Sequence, residues 1–173
     1  ANPGSLSLTG RLSHPYLVPG TSDVFATLEV SAVDVPGAKR APVNLAVVID
    51  RSGSMSGAKM ENARRAARHL VDLLGDDDRI SVVHFGTDVS AMSGVFATPE
   101  NKVKLQRYIA NIADEGGTNI GDGLAVGLKH LERAKSDFRV NRLLLLSDGQ
   151  PTVGITGTQG LTNVVRRIRD AGV

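Results

Sequence analysis

Val43-Asn44-Leu45-Ala46-Val47-Val48-Ile49-Asp50-Arg51-Ser52-Gly53-Ser54 is the stretch that decides the fold. Val43–Asp50 reads as an apolar run, the pattern of a strand buried on both faces of a parallel sheet. The run ends on a carboxylate. Two hydroxyls follow, two residues apart, in a short turn that contains glycine and leads into a helix.

Outward from this stretch, strands and helices alternate. Gly57–Leu74 reads as a helix, with Ala63, Ala66, Ala67, Leu70, Val71 and Leu74 on one stripe. Arg64, Arg65, Arg68 and Asp72 fall largely on its other side, as a solvated face. Gly75-Asp76-Asp77-Asp78 stops that helix. Ile80–Phe85 is the next strand, and Val89–Phe96 its hairpin partner at the sheet edge. Helices are expected over Pro99–Ile112, with Pro near the first turn, over Gly121–Arg133 and over Leu161–Ala171. Arg142–Ser147 is expected as another buried strand. The alternation predicts an α/β fold: a doubly wound, Rossmann-like, mostly parallel sheet with helices on both faces and right-handed crossovers.

Residues 1–37 have a different texture. Leu6, Leu8 and Leu12 keep a period of two, and Val24, Ala26, Leu28, Val30 and Ala32 keep it more strictly. His14-Pro15 and Val18-Pro19-Gly20 separate these two strands. Two strands alone do not make a stable unit. They are expected to form an N-terminal β extension, as part of a β-sandwich, ahead of a main domain over residues 43–173. The closing Ala171-Gly172-Val173 reads as a helix end entering a further strand. The main domain is therefore expected to be C-terminally truncated, lacking its last strands and helix.

Composition narrows the function. Hydrophobic residues make up 41% of the 173 residues, enough for a core, but aromatics only 3%, which argues against a base-stacking surface for single-stranded nucleic acid. A net charge of +2 with interspersed signs demands no polyanionic partner. Without cysteine there are no disulfides and no thiolate metal sites. No apolar run reaches the roughly 18 residues of a membrane-spanning helix. The chain begins with Ala rather than Met, as a processed or trimmed N-terminus would.

Five hard oxygen side chains lie in loops beside these elements: Asp50, Ser52, Ser54, Thr118 after Gly116-Gly117, and Asp148 after the apolar Leu143–Leu146. Ligands in open α/β sheets gather beyond the carboxyl ends of strands, and Asp50 and Asp148 are both expected to end central strands. Gly53 and Gly116-Gly117 are expected to let the loops curl. Carboxylates, hydroxyls and water suit hard cations. The small, mostly neutral donor set favours Mg²⁺ over Ca²⁺, which normally takes six to eight oxygens and more carboxylates; Mn²⁺ is a plausible substitute.

Asp50-Arg51-Ser52-Gly53-Ser54-Met55, Gly117-Thr118-Asn119 and Leu146-Ser147-Asp148-Gly149 together closely resemble the von Willebrand factor type A domain, over about residues 43–173. The resemblance implies a metal-ion-dependent adhesion site. Ser52, Ser54 and Thr118 would contact the metal, and Asp50 and Asp148 would act mainly through bound waters. It also implies a protein ligand that presents Asp or Glu to the ion, and no catalysis. The N-terminal strands are similar to those of bacterial surface proteins, which favours a secreted, cell-surface or periplasmic location over a cytoplasmic one.

Other readings compete. Ser52 or Ser54 alone reads as a helix N-cap, and Asp148-Gly149 alone as a turn. Gly53 to Lys59 does not meet the phosphate-loop pattern, and Met55 stands where a nucleophile elbow needs serine. His14, His69, His84 and His130 lack metal-ligand spacing. His84 reads as a buried or edge strand residue, and His69 and His130 as helix-surface residues. Asp122 fits either a loop-orienting role or an acid at a helix start, and Asp76–Asp78 fits a turn. Among functions, an intracellular assembly subunit working with a ring ATPase is the alternative. A Mg²⁺-dependent phosphoryl-transfer enzyme would need an acid–base partner that is not evident.

Overall fold

The computed structural model describes residues 6–12, 25–32 and 40–173. The chain divides into two compact units, Ala1–Arg40 and Ala41–Val173. In the first, β1 (Leu6–Leu12) pairs antiparallel with β2 (Ala26–Ala32). Leu8 lies opposite Val30 and Gly10 opposite Leu28, so these four share one face of the ribbon. Thr9, Arg11, Thr27 and Glu29 take the other face. Leu8, Leu28 and Val30 are each about two-thirds exposed (68%, 70% and 66%). His14 and Val24 lie outside the described residues.

The second unit holds a four-stranded sheet in the order β5-β4-β3-β6. β3 (Val43–Asp50) is parallel to β4 (Arg79–Phe85) on one side and to β6 (Val140–Leu146) on the other. β5 (Val89–Phe96) closes the opposite edge antiparallel to β4, as the hairpin reading expects. Because β4 and β6 flank β3 on opposite sides, strand order reverses at β3. The crevice at its carboxyl end is where such sheets hold ligands.

Helices cover both faces. α1 (Ala58–Leu73) and α2 (Pro99–Ala110) bury Met60, Ala63, Ala67, Val71, Leu105 and Ile109 against Val47, Ile49, Ile80 and Val82. On the other face, α3 (Ile120–Glu132) and α4 (Thr158–Asp170) set Leu124, Leu128 and Ile168 against Val48, Val83 and Phe85. Side chains alternate along β3 and β4, so both faces of each strand are apolar. Each fully buried side chain of this size contributes about 1.5–3 kcal/mol.

Local chemistry sets the boundaries. Thr98 accepts the amide of Asn101 at the start of α2, with Pro99 in the first helical position. Asp78 ends the turn after α1 by accepting from Gly75 N (2.7 Å) and Val43 N (2.9 Å), so it is a buried structural acid. α4 begins at Thr158, three residues before the predicted Leu161. Its first turn, Thr158-Gln159-Gly160, carries no apolar signal.

Two expectations are corrected. β6 is not buried on both faces: Leu144 and Leu145 are 36% and 37% exposed. Among the described residues β6 is the outermost strand, paired only with β3, rather than a central one. His130 is not on a helix surface but buried, because α3 packs against the sheet and against the short turn that follows it.

Candidate metal centre

Asp50 is the last residue of β3 and is fully buried. Its Oδ1 accepts the backbone amide of Ser52 (2.8 Å) and its Oδ2 accepts the hydroxyl of Ser147 (2.5 Å). The register explains the second contact. Ile49 lies opposite Leu146, so the next residue of each strand end, Asp50 and Ser147, meet across the rim.

Ser52 opens a short 3-10 helix, Gly53–Met55. That turn, rather than a left-handed glycine, bends the loop: Gly53 is not among the glycines with positive φ. The turn brings the hydroxyls of Ser52 and Ser54 within 3.1 Å of each other. Neither hydroxyl caps a helix. The short helix has no side-chain cap bond, and α1 takes Gly57 as its N-cap. Ser54 instead donates to Asp148 Oδ1 (3.0 Å), and Lys59 Nζ bonds Asp148 Oδ2 and the Ser54 carbonyl (3.2 Å). The Lys59 ammonium, and after it the Ser54 hydroxyl, hold the Asp148 carboxyl below its ordinary range.

Thr118 stands on a third loop whose preceding residues bond the first loop through the main chain. Gly53 N donates to Gly116 O (3.1 Å) and Glu115 N to Arg51 O (2.6 Å), which ties the third loop to the first. Gly116 has φ +74°, and a Cβ there would lie 2.5 Å from Thr87 Oγ1, so glycine is required. Thr118 is buried, its amide donating to Thr152 Oγ1 (2.9 Å). Outside the loop core, Ser56 bonds Asp114, lowering that carboxyl, and Arg51 pairs with Glu115 (2.9 Å).

Of the five predicted residues, Asp50, Ser52, Ser54 and Asp148 are thus joined by a short chain of hydrogen bonds, and Thr118 follows two residues after Gly116, which bonds Gly53. Asp122 does not reach this rim chain. It exchanges bonds with Asn119, the N-cap of α3, as an acid at a helix start. Ser147, Lys59 and Thr152 are contributors to which the sequence reading gave no role at the site. Ser147 directly precedes Asp148 in sequence, and Lys59 follows Ser54 by five residues.

The donors fit a small hard cation. Neighbouring oxygens of an octahedral Mg²⁺ shell, with bonds of about 2.0–2.1 Å, lie about 2.9 Å apart, close to the spacing of the two serine hydroxyls. A Cβ on Gly149 would sit 3.4 Å from Ser54 Oγ and 3.9 Å from Asp50 Oδ2, so a bare backbone leaves the cradle open. Among the described residues no three His, Cys, Asp or Glu side chains gather. A cation here depends on hydroxyls beside two carboxylates.

A profile of the von Willebrand factor type A domain matches residues 44–173. The chain belongs to this family. The type A domain is 35% identical over 132 residues to inter-alpha-trypsin inhibitor heavy chain H3 of Mus musculus, and 36% over 132 residues to heavy chain H4 of Homo sapiens. Each match covers 72% of this chain and only 15% and 14% of the relative's length. The fold of this type A domain is similar to that of a von Willebrand factor type A structure from Catenulispora acidiphila, with a TM-score of 0.67 and 20% identity over 96% of this chain and 38% of that one. It is also similar to the vWF domain of the type V pili tip protein Mfa5 from Porphyromonas gingivalis, with a TM-score of 0.58 and 22% identity over 66% and 40%. No helix among the described residues is long and apolar enough to cross a membrane.

Proposed function

We propose that this type A domain is a non-enzymatic, cation-dependent protein-binding module. Ser52, Ser54 and Thr118 hold Mg²⁺ directly, with Mn²⁺ or Ca²⁺ as substitutes, and Asp50 and Asp148 act through bound water. An Asp or Glu of a protein partner completes the shell. The observation that carries this reading is the pair of hydroxyls 3.1 Å apart, free of capping duty, set between two anchored carboxylates. With mostly neutral direct ligands the ion stays electron-poor. A partner carboxylate, costly to desolvate alone, gains a counter-charge there.

The kinship with a pilus tip protein and with inter-alpha-trypsin inhibitor heavy chains supports a role in adhesion at or beyond the cell surface. Residues 1–37 and 43–173 act in this reading as separate domains, the first contributing strands to a β-sandwich.

Calorimetric titration of the whole chain with Mg²⁺ tests the proposal. Wild type takes up one ion, and Asp50→Ala and Thr118→Ala take up none while still melting cooperatively. With Mn²⁺ bound, acetate serves as a carboxylate probe whose proton relaxation is enhanced by wild type and not by Thr118→Ala. Absence of ion uptake by the folded wild type refutes the reading.

A further inference from the structure

We infer that Lys59 is a tethered competitor of the divalent ion, an ammonium built into the site that sets how tightly the metal is held. The inference rests on the reading of this rim as a cation site and concerns how that site is tuned. Lys59 is the second residue of α1, and its stem reaches back over the first turn to the rim. The ammonium bonds Asp148 Oδ2 and the carbonyl of Ser54, while the hydroxyl of Ser54 takes Asp148 Oδ1. Both oxygens of Asp148 are therefore engaged, one of them by a cation.

Asp148 faces two suitors of like charge. A divalent ion held by Ser52, Ser54 and Thr118 would meet Asp148 through water, and an ammonium on the same carboxylate would repel it. Lys59 can yield readily. Its side chain is 59% exposed against 20% for Asp148, it has a flexible four-carbon stem, and an exposed lysine–carboxylate pair is a weak one. When the ion arrives, the ammonium moves off Asp148 yet stays within reach of the rim. There it meets the same incoming carboxylate that the ion attracts. Lys59 thus weakens the bare ion and favours the ion together with an acidic ligand.

At water-like dielectric and physiological screening, one unit charge at this range changes divalent affinity by about three- to tenfold. The test uses the whole chain and Mg²⁺ alone, titrated calorimetrically into wild type, Lys59→Gln, Lys59→Ala and Lys59→Arg, with melting curves without ion to verify the fold. The two neutral variants are expected to bind Mg²⁺ about three- to tenfold more tightly, and Lys59→Arg within about twofold of wild type. The gain shrinks as ionic strength rises. Mg²⁺ affinity unchanged or weaker in both neutral variants overturns the inference, since Lys59 would then merely hold Asp148 in place. A folded wild type that takes up no ion overturns the cation site itself, and this inference with it, so the two failures are told apart.

Discussion

Ser147 and Asp50 are 97 residues apart in sequence, and the hydroxyl of one donates to the carboxylate of the other at 2.5 Å. This bond fixes the buried acid of the rim from the neighbouring strand end. Ser147→Ala is expected to leave the fold intact and to weaken Mg²⁺ binding about fivefold, equivalent to about 1 kcal/mol for a partly exposed bond to a charged acceptor. Calorimetry checks it. An unchanged affinity would mean that the Ser52 amide alone orients Asp50.

Packing on the inner face of α3 leaves no room at Gly127. A Cβ there would lie 2.8 Å from Val48 Cγ2 and 3.0 Å from Leu143 Cδ1. Alanine favours a helix over glycine by about 1 kcal/mol, but overpacking a tight core costs about 1–3 kcal/mol. Gly127→Ala is therefore expected to lose about 1–2 kcal/mol in urea denaturation. A stabilised variant would show that the helix shifts without penalty.

Asn44 is fully buried at the start of β3 and organises three partners. Its Nδ2 donates to Leu131 O (3.0 Å) and Asn141 Oδ1 (2.8 Å), and its Oδ1 accepts from Arg79 (2.8 Å). Burial, and after it Arg133, push the Arg79 guanidinium below its ordinary pKa, so its loss of a partner is costly. Asn44→Ala is expected to destabilise the domain by about 3 kcal/mol, read as a lower denaturation midpoint at unchanged slope.

Acid should weaken the fold through two histidines. Burial first, then Arg51, lowers the pKa of His84; burial first, then Arg133, Arg79 and Lys129, lowers that of His130. Nδ1 of each is buried without a hydrogen-bond partner. The unfolded chain binds protons more readily at both, so their contribution is present above the ordinary histidine pKa of about 6.5. It is lost as pH falls through that value and the folded pKa below it. Melting temperature should drop between pH 7.5 and pH 5, and the slope should flatten in His84→Gln. A midpoint that holds or rises on acidification would contradict this.

Much of this fold was legible because strands buried on two faces read as apolar runs and α1, α3 and α4 carry clear periodicity. β6 read as central because Leu143–Leu146 is as apolar as β3. Nothing local records that, among the described residues, only β3 lies beside it. His130 went astray for a related reason: a helix touching several elements buries more than one stripe. At the rim, order and chemistry single out Asp50, Ser52, Ser54, Thr118 and Asp148 as candidates, and hydrogen bonds join four of them, Asp50, Ser52, Ser54 and Asp148. Order and chemistry do not reveal the contacts of Ser147 and Lys59. The first follows from the register of β3 on β6, and the second from a side chain folding back over a helix start.

That register has a consequence for how the protein is born. β3 can pair with β4 once Phe85 has left the ribosome, but β6 and Asp148 emerge only some sixty residues later. Until then β3 has an open flank, and the rim holds one acid of its two. A pairing across so long a sequence separation forms slowly, so the rim is assembled only after Asp148 has emerged. A nascent chain stalled before Arg142 would carry Ser52 and Ser54 in full yet lack the strand that completes their setting.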